Sequence, residues 1–477
     1  MTTGLQPYPE YQDSGLPWLN RIPARWEEKR AKFYFREVDE RSATGTEQLL
    51  SVSHKTGVTP RKANVTMFMA ESNVGCKICH PGDLVINTMW AWMAAMGVSR
   101  QTGLVSPSYG VYRPRKSSPF LPDYVDHLMR TQPYVSEYIC RSTGIRPSRL
   151  RLYPDDFLDI PIVCPPHEEQ EAIVRFIDHH DRLVRRFIRN RQRLIGVLNE
   201  QKQAIINRAV TRGLAPKVFL KPSGIDWLGD IPEHWKTNRL RNLVELRVSN
   251  VDKHSKDGEL PVRLCNYTDV YKNSAITAEM PFMAATATQD EIAAFHIRVG
   301  DVIITKDSED WQDIGVPAIV AQTADDIVCG YHLAILRPIA PLITGRFLAY
   351  AMRCRSVATQ LNIAAKGVTR YGVSQGAIKG LDLAVPSLDE QEKIVLYIDE
   401  ATASLNELVR RAKHEIDLIS EYRTRLIADV VTGKVDVRHL APETVEAGPE
   451  DLDEGLDDEM PGEDEVVIAE EVTDADD

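Results

Sequence analysis

The chain has 477 residues, 43% hydrophobic and 26% charged, too many for one core and apolar enough for several globular units. No apolar run reaches the length of a bilayer span, and the opening MTTGLQPYPEYQDSG lacks the basic-then-apolar order of a signal peptide, so a cytoplasmic protein with seven reduced cysteines is expected. The net charge of −12 is uneven: residues 442–477 hold seventeen Asp and Glu and no Lys or Arg, whereas residues 1–441 carry 57 basic against 52 acidic side chains, a net of +5.

The first recognisable block is GLPWLNRIPARW (15–26), whose Trp18, Trp26 and Ile-Pro pair suit a chain entry packed onto its domain. A variable segment follows from about 30 to 165. It has short β-like runs, GDLVIN (82–87) and YGVYRP (109–114), a helical stretch, YVDHLMR (124–130), and a basic loop entering TGIRPSRLRLYPDDFLDIPI (143–162). Within it Cys76-Lys77-Ile78-Cys79-His80 has the spacing of a c-type haem attachment motif. Covalent haem needs an exported chain, and Cys140 and Cys164 do not supply the second ligand pair that zinc requires. Two ordinary thiols in a loop are expected, with no metal site.

After Pro165-Pro166, EEQEAIVRFID (168–178) opens a helix with carboxylates in its first turn, where they oppose the helix dipole favourably. Apolar residues recur at Ile173, Ile177, Val184, Phe187, Leu194, Leu198, Ile205 and Ala209, and Gly213 and Pro216 end the run. Six arginines between Arg182 and Arg193 offer a solvated face, a phosphate contact or a match for an acidic partner.

The whole order then repeats. GIDWLGDIPEHW (224–235) matches the first tryptophan block at an offset of 209, and DEQEKIVLYID (389–399) matches the first helix opening at an offset of 221. Between them, 238–386 carries GDVIIT (300–305), PAIVA (317–321), HLAILRP (332–338), GRFLAYAMR (345–353) and KGVTRYGVSQGAIKGLDLAV (366–385). The second helix runs through Ile394, Ile398, Leu405, Leu408, Ala412, Ile419, Tyr422 and Leu426 to Gly433. The alternating three-four spacing favours a coiled-coil seam. Pairing is expected between Ile177, Val184, Leu194 and Leu198 of the first helix and Ile398, Leu405, Leu408, Ile419 and Leu426 of the second. About 42 residues of helix span roughly 63 Å.

A fold class follows: α/β, with two pseudo-symmetric α/β domains separated by two long antiparallel coiled-coil helices. The expected bounds are 1–166 for the first domain, 167–213 for the central helix, 214–387 for the second domain, 388–438 for the C-terminal helix and 439–477 for an acidic disordered tail.

No G-x-G-x-x-G, Walker A, G-x-S-x-G or Asn-Pro-Pro-aromatic motif is present, and the Pro-Asp pairs at 122–123 and 154–155 lack a following Glu-x-Lys. These absences point to a non-catalytic role. Loops in both variable segments mix Arg and Lys with Ser, Thr, Asn and Tyr, which suits phosphate and base-edge contacts. The candidate DNA-binding residues are Arg113, Arg115, Lys116, Arg146, Arg149, Lys306, Lys366, Thr369, Arg370 and Tyr371.

Taken together, the duplicated G-x-x-W-L-x-x-I-P-x-x-W, GDLVIN with Ser106-Pro107-Ser108-Tyr109, GDVIITKD, and the paired EQEAIV and EQEKIV openings resemble the specificity (S) subunit of Type I restriction-modification systems across residues 14–438. The resemblance implies that the two α/β domains are target recognition domains, each reading one half of a bipartite asymmetric DNA site. It implies helices that set the gap and dock two modification (M) subunits, through which restriction (R) subunits join. S-adenosylmethionine, ATP and magnesium are then expected on partner subunits and not on this chain. A specificity subunit of a related system with a fused methylase-nuclease is the alternative within the class, and a non-specific coiled-coil adaptor lies outside it. The acidic tail is outside the usual pattern.

Overall fold

The computed structural model describes residues 5–61, 72–144 and 150–440. The chain divides into two compact units, Met1–Ile188 with Ile416–Asp477, and Arg189–Glu415. The division falls inside both long helices, His167–Arg212 and Leu388–Val431, so each unit takes half of each. Carboxylates open both helices, and Gly213 (φ 71°) and Gly433 (φ 76°) close them in the left-handed conformation that glycine adopts without a Cβ clash.

The two helices run antiparallel. In the second unit Arg191 bonds Glu415 at 2.6 Å and Lys202 donates to Asn406 at 3.0 Å, so the contact descends one helix as it climbs the other. In the first unit Arg423 makes a two-armed pair with Asp181 at 2.8 and 2.6 Å. Ile177, Val184, Leu198, Ile398, Leu405 and Leu426 are buried, and Ile419 is half-buried. Leu194 and Leu408 are not in the seam: they stand 38% and 46% exposed. The heptad that joins Ile398, Leu405 and Ala412 takes its second position four residues on, at Thr402 and Ile416, which are buried. Leu408 is three residues on from Leu405 and falls outside, and Leu194 stands in the same relation to the seam position of Arg191.

Each unit is built on a mainly antiparallel sheet. In the first, strands Phe35–Glu37, Gly110–Pro114, Leu84–Ile86 and Met96–Val98 lie in that order, with Val111 opposite Val85. In the second, Val244–Val248, Leu333–Pro338, Val302–Thr305 and Pro317–Val320 repeat that order, with Ile303 opposite Ile335. Ala275–Ile276 adds a parallel edge strand. The Gly-Asp runs therefore become central strands, buried on both faces, which explains their unbroken apolar character. Helices Pro122–Met129 and Gly345–Met352 contribute to the two main cores.

The tryptophan blocks split in role. Trp26 and Trp235 are core residues, whereas Trp18 and Trp227 stand 36% and 48% exposed. Trp26 Nε1 donates to Glu169 at 2.9 Å. Its counterpart Trp235 Nε1 is buried with no hydrogen-bond acceptor, while Glu390 pairs with His234 at 3.0 Å.

In the second unit, the chain leaving Gly213 runs directly into strand Leu220–Pro222, which pairs with Asp230–Pro232. In the first unit the same passage is assembled from both ends of the chain. Residues after Gly433 meet the N-terminal stretch where Asp436 N–H donates to Gln6 O at 2.8 Å, and Tyr11–Asp13 then pairs with Arg21–Pro23.

Cys79 does not lie in a loop. It is fully buried at the end of strand Lys77–Cys79, its Sγ 3.6 Å from Gly103 O, while His80 engages Glu40 and Thr102.

Candidate nucleic-acid interface

The turn into each central strand is fixed by a buried ion pair. Asp83 accepts the His80 N–H and takes both arms of Arg113 at 2.9 Å. Asp301 accepts the Arg298 N–H and takes Arg337 at 2.9 and 2.7 Å. Both aspartates are 2% exposed. Donating hydrogen bonds to Asp83 and Asp301 holds the Arg113 and Arg337 guanidinium groups firmly protonated, above their ordinary range. Arg113 is therefore a structural partner of Asp83 and Glu40.

At the opposite end of each central strand a loop is tied to the sheet. In the first unit Leu152 N–H donates to Thr88 O at 2.9 Å, and Thr143 pairs with Arg151 below the loop. Arg146 and Arg149 lie outside the described residues. Of the other candidates there, Arg115 Nε donates to Lys32 O at 2.9 Å and Lys116 is exposed.

In the second unit Val373 N–H donates to Lys306 O at 3.2 Å, the same tie. The loop is a hairpin, Lys366–Gly367 against Tyr371–Gly372, with Asp307–Ser308 paired to its second strand. Its tip requires Gly367: φ is 153°, and a Cβ there would lie 1.9 Å from Arg370 O. Lys366, Thr369 and Arg370 are exposed on this hairpin, and Tyr371 is half-buried. Lys306 is not an open cation: it pairs with Asp307 at 2.6 Å.

Around the hairpin stand residues that the sequence did not single out. Arg370 Nη2 lies 2.9 Å from His332 Nε2, and His332 Nδ1 lies 3.3 Å from Asp307. Burial alone would raise the Asp307 carboxyl, but the bonds from His332 and Lys306 outweigh it and hold it below its usual range. Tyr267 bonds Ser308 at 3.0 Å and stacks on Tyr271, ring centroids 5.5 Å apart. Tyr271, Trp311 and Tyr331 are all exposed. His332 and Asp307 sit at the ends of runs legible only as strands, so no local signal marked them. Among the described residues, no group of three or more His, Cys, Asp or Glu is placed to hold a metal ion, and no helix is long and apolar enough to cross a membrane.

Residues 232–418, which span the second sheet, its hairpin and the start of the second long helix, match the family model described as Type I restriction modification DNA specificity domain. The chain is similar to this family over that segment. It is 22% identical over 293 residues to the Type I restriction enzyme MjaVIII specificity subunit of Methanocaldococcus jannaschii, a match covering 60% of this chain and 64% of that subunit. A second relative from that organism is 24% identical over 209 residues, 43% of this chain and 47% of its own. The chain thus spans less than two thirds of the length of these specificity relatives. A solved chain from a study of assembly and conformational transition in the type I R-M system has the same fold, with a TM-score of 0.55 at 16% identity, covering 86% of this chain and 98% of that one.

Proposed function

We propose that this chain is the non-catalytic DNA-reading subunit of a Type I restriction-modification complex. One recognition domain lies in each unit, and each reads one half of a bipartite asymmetric site. One observation carries this reading: a loop is tied to the same point of the same sheet in each unit, at Leu152–Thr88 and Val373–Lys306, yet the two loops carry different side chains. A shared frame with divergent tips suits two readers of unlike sequences, and tethering makes the second binding event intramolecular.

The long helices are the natural platform for two modification subunits, which would carry S-adenosylmethionine and the methyl transfer. Restriction subunits would join through them and supply ATP- and magnesium-dependent cleavage. The test is to assemble the chain with its modification subunits and sequence the methylated products of a randomised DNA library. A two-part site with a fixed gap is expected. A single uninterrupted site, or methyl transfer by this chain alone, would overturn the proposal.

A further inference from the structure

We propose that Asp307, His332 and Arg370 form a relay that aims the Arg370 guanidinium at a base edge with two acceptors, guanine O6 and N7, in the half-site read by the second unit. This assignment rests on the specificity reading above and names a residue within it.

The three side chains are in contact in series. Arg370 Nη2 lies 2.9 Å from His332 Nε2 and 3.3 Å from Nδ1, so one end of the guanidinium rests against the imidazole ring. His332 Nδ1 in turn lies 3.3 Å from the Asp307 carboxylate. Asp307 is itself held by Lys306 at 2.6 Å. The imidazole thus bridges the carboxylate and the guanidinium, holds one edge of the guanidinium and leaves the remaining donors to a ligand. Asp307 pairs with Gly372 in the strand beside the hairpin, so the anchor and the tip belong to one small sheet.

A phosphate can accept the same two-armed contact, but the surroundings disfavour one. Glu309 and Asp313 lie close enough to act on the same Tyr267 hydroxyl as Arg370, and Asp310 is exposed beside them. Carboxylates around an oriented guanidinium repel a phosphate but tolerate base edges, where arginine forks onto guanine and carboxylates accept from cytosine amino groups. The rings of Tyr271, Trp311 and Tyr331 are exposed, and Tyr331 lies against His332 with ring centroids 3.6 Å apart.

The test uses the complex with modification subunits and reads base preference at every position of the site from a randomised library. Arg370→Ala, on an exposed hairpin tip, should relax one base position in one half-site by about tenfold or more and leave the other half-site intact. His332→Phe removes the ring nitrogens that meet Asp307 and Arg370 and should relax that same position. His332→Gln keeps one acceptor and one donor and should retain the preference.

Equal weakening on all sequences by Arg370→Ala, with the salt slope reduced by about one, would mark a phosphate contact and overturn the assignment. So would a Gln variant as relaxed as the Phe variant. A wild-type complex without sequence preference would overturn the specificity reading and this assignment with it. A selective wild-type whose preference survives Arg370→Ala would overturn the assignment alone.

Discussion

Gln170 and Gln391 make the same three hydrogen bonds in two different units. Gln170 accepts the Leu121 N–H at 2.8 Å and donates to Pro119 O and Pro165 O at 3.1 and 2.9 Å. Gln391 accepts the Thr344 N–H at 2.8 Å and donates to Leu342 O and Pro386 O, both at 3.1 Å. Leu121 and Thr344 are the residues that open the helices Pro122–Met129 and Gly345–Met352. The repeated glutamine is therefore a buried latch that ties the start of a long helix to the start of a domain helix.

Removing that latch strands backbone groups in the core. Gln170→Ala or Gln391→Ala should each destabilise its own unit by about 3 kcal/mol, the scale expected when buried hydrogen-bonding groups lose their partners. Hydrogen exchange resolved by peptide would check this. Loss of protection should appear in the unit carrying the substitution and leave the other as in the wild type.

The buried aspartates make a second test. Arg337→Met leaves Asp301 buried and unpaired, and Arg113→Met does the same to Asp83, each costing about 3–5 kcal/mol. Thermal unfolding should show the loss in both variants. If Arg113 instead contacted DNA, its substitution would reduce the salt dependence of DNA binding with little change in unfolding temperature.

The sequence made the duplication and both helices legible because periodicity and capping are local. The seam positions were less so, since a three-four alternation fits neighbouring registers equally well and only packing selects Ile416 over Leu408. The hairpin residues Lys366, Thr369 and Arg370 were found by composition. Their partners were not: His332 is 38 residues from Arg370 and 25 from Asp307, a juxtaposition that only the folded sheet creates. The buried partner of Arg113 was hidden for the same reason, because Asp83 is 30 residues away.

His127 gives the first unit a pH dependence. Burial lowers the proton affinity of its imidazole; Asp126, Asp181 and Asp178 pull the other way, and Arg130 adds to the lowering. The unfolded chain therefore takes up a proton that the folded chain refuses. Stability should be full above the ordinary imidazole value of about 6.5 and fall as the pH drops through it. Melting temperatures of the wild type and His127→Gln across this range should converge at low pH from a wild-type advantage at neutral pH, or the linkage is wrong.

The seventeen carboxylates of residues 442–477 accompany a body of net +5. A polyanion on the same chain as a basic body should compete with non-specific DNA, and salt should screen the competition. Truncation after Arg438 should tighten non-specific binding by the assembled complex, more at low salt than at high. Affinities measured with and without the tail across a salt series check it, and equal values throughout would remove the competition.

The central claim is that each unit reads its own half-site. The most direct test replaces residues 238–386 with the corresponding segment of a relative that reads a different sequence, assembles the hybrid with the same modification subunits, and maps the methylated sites. The account predicts one altered half-site, the other unchanged, and the same gap between them. A change in both half-sites together, or no change in either by a folded and active hybrid, would contradict it.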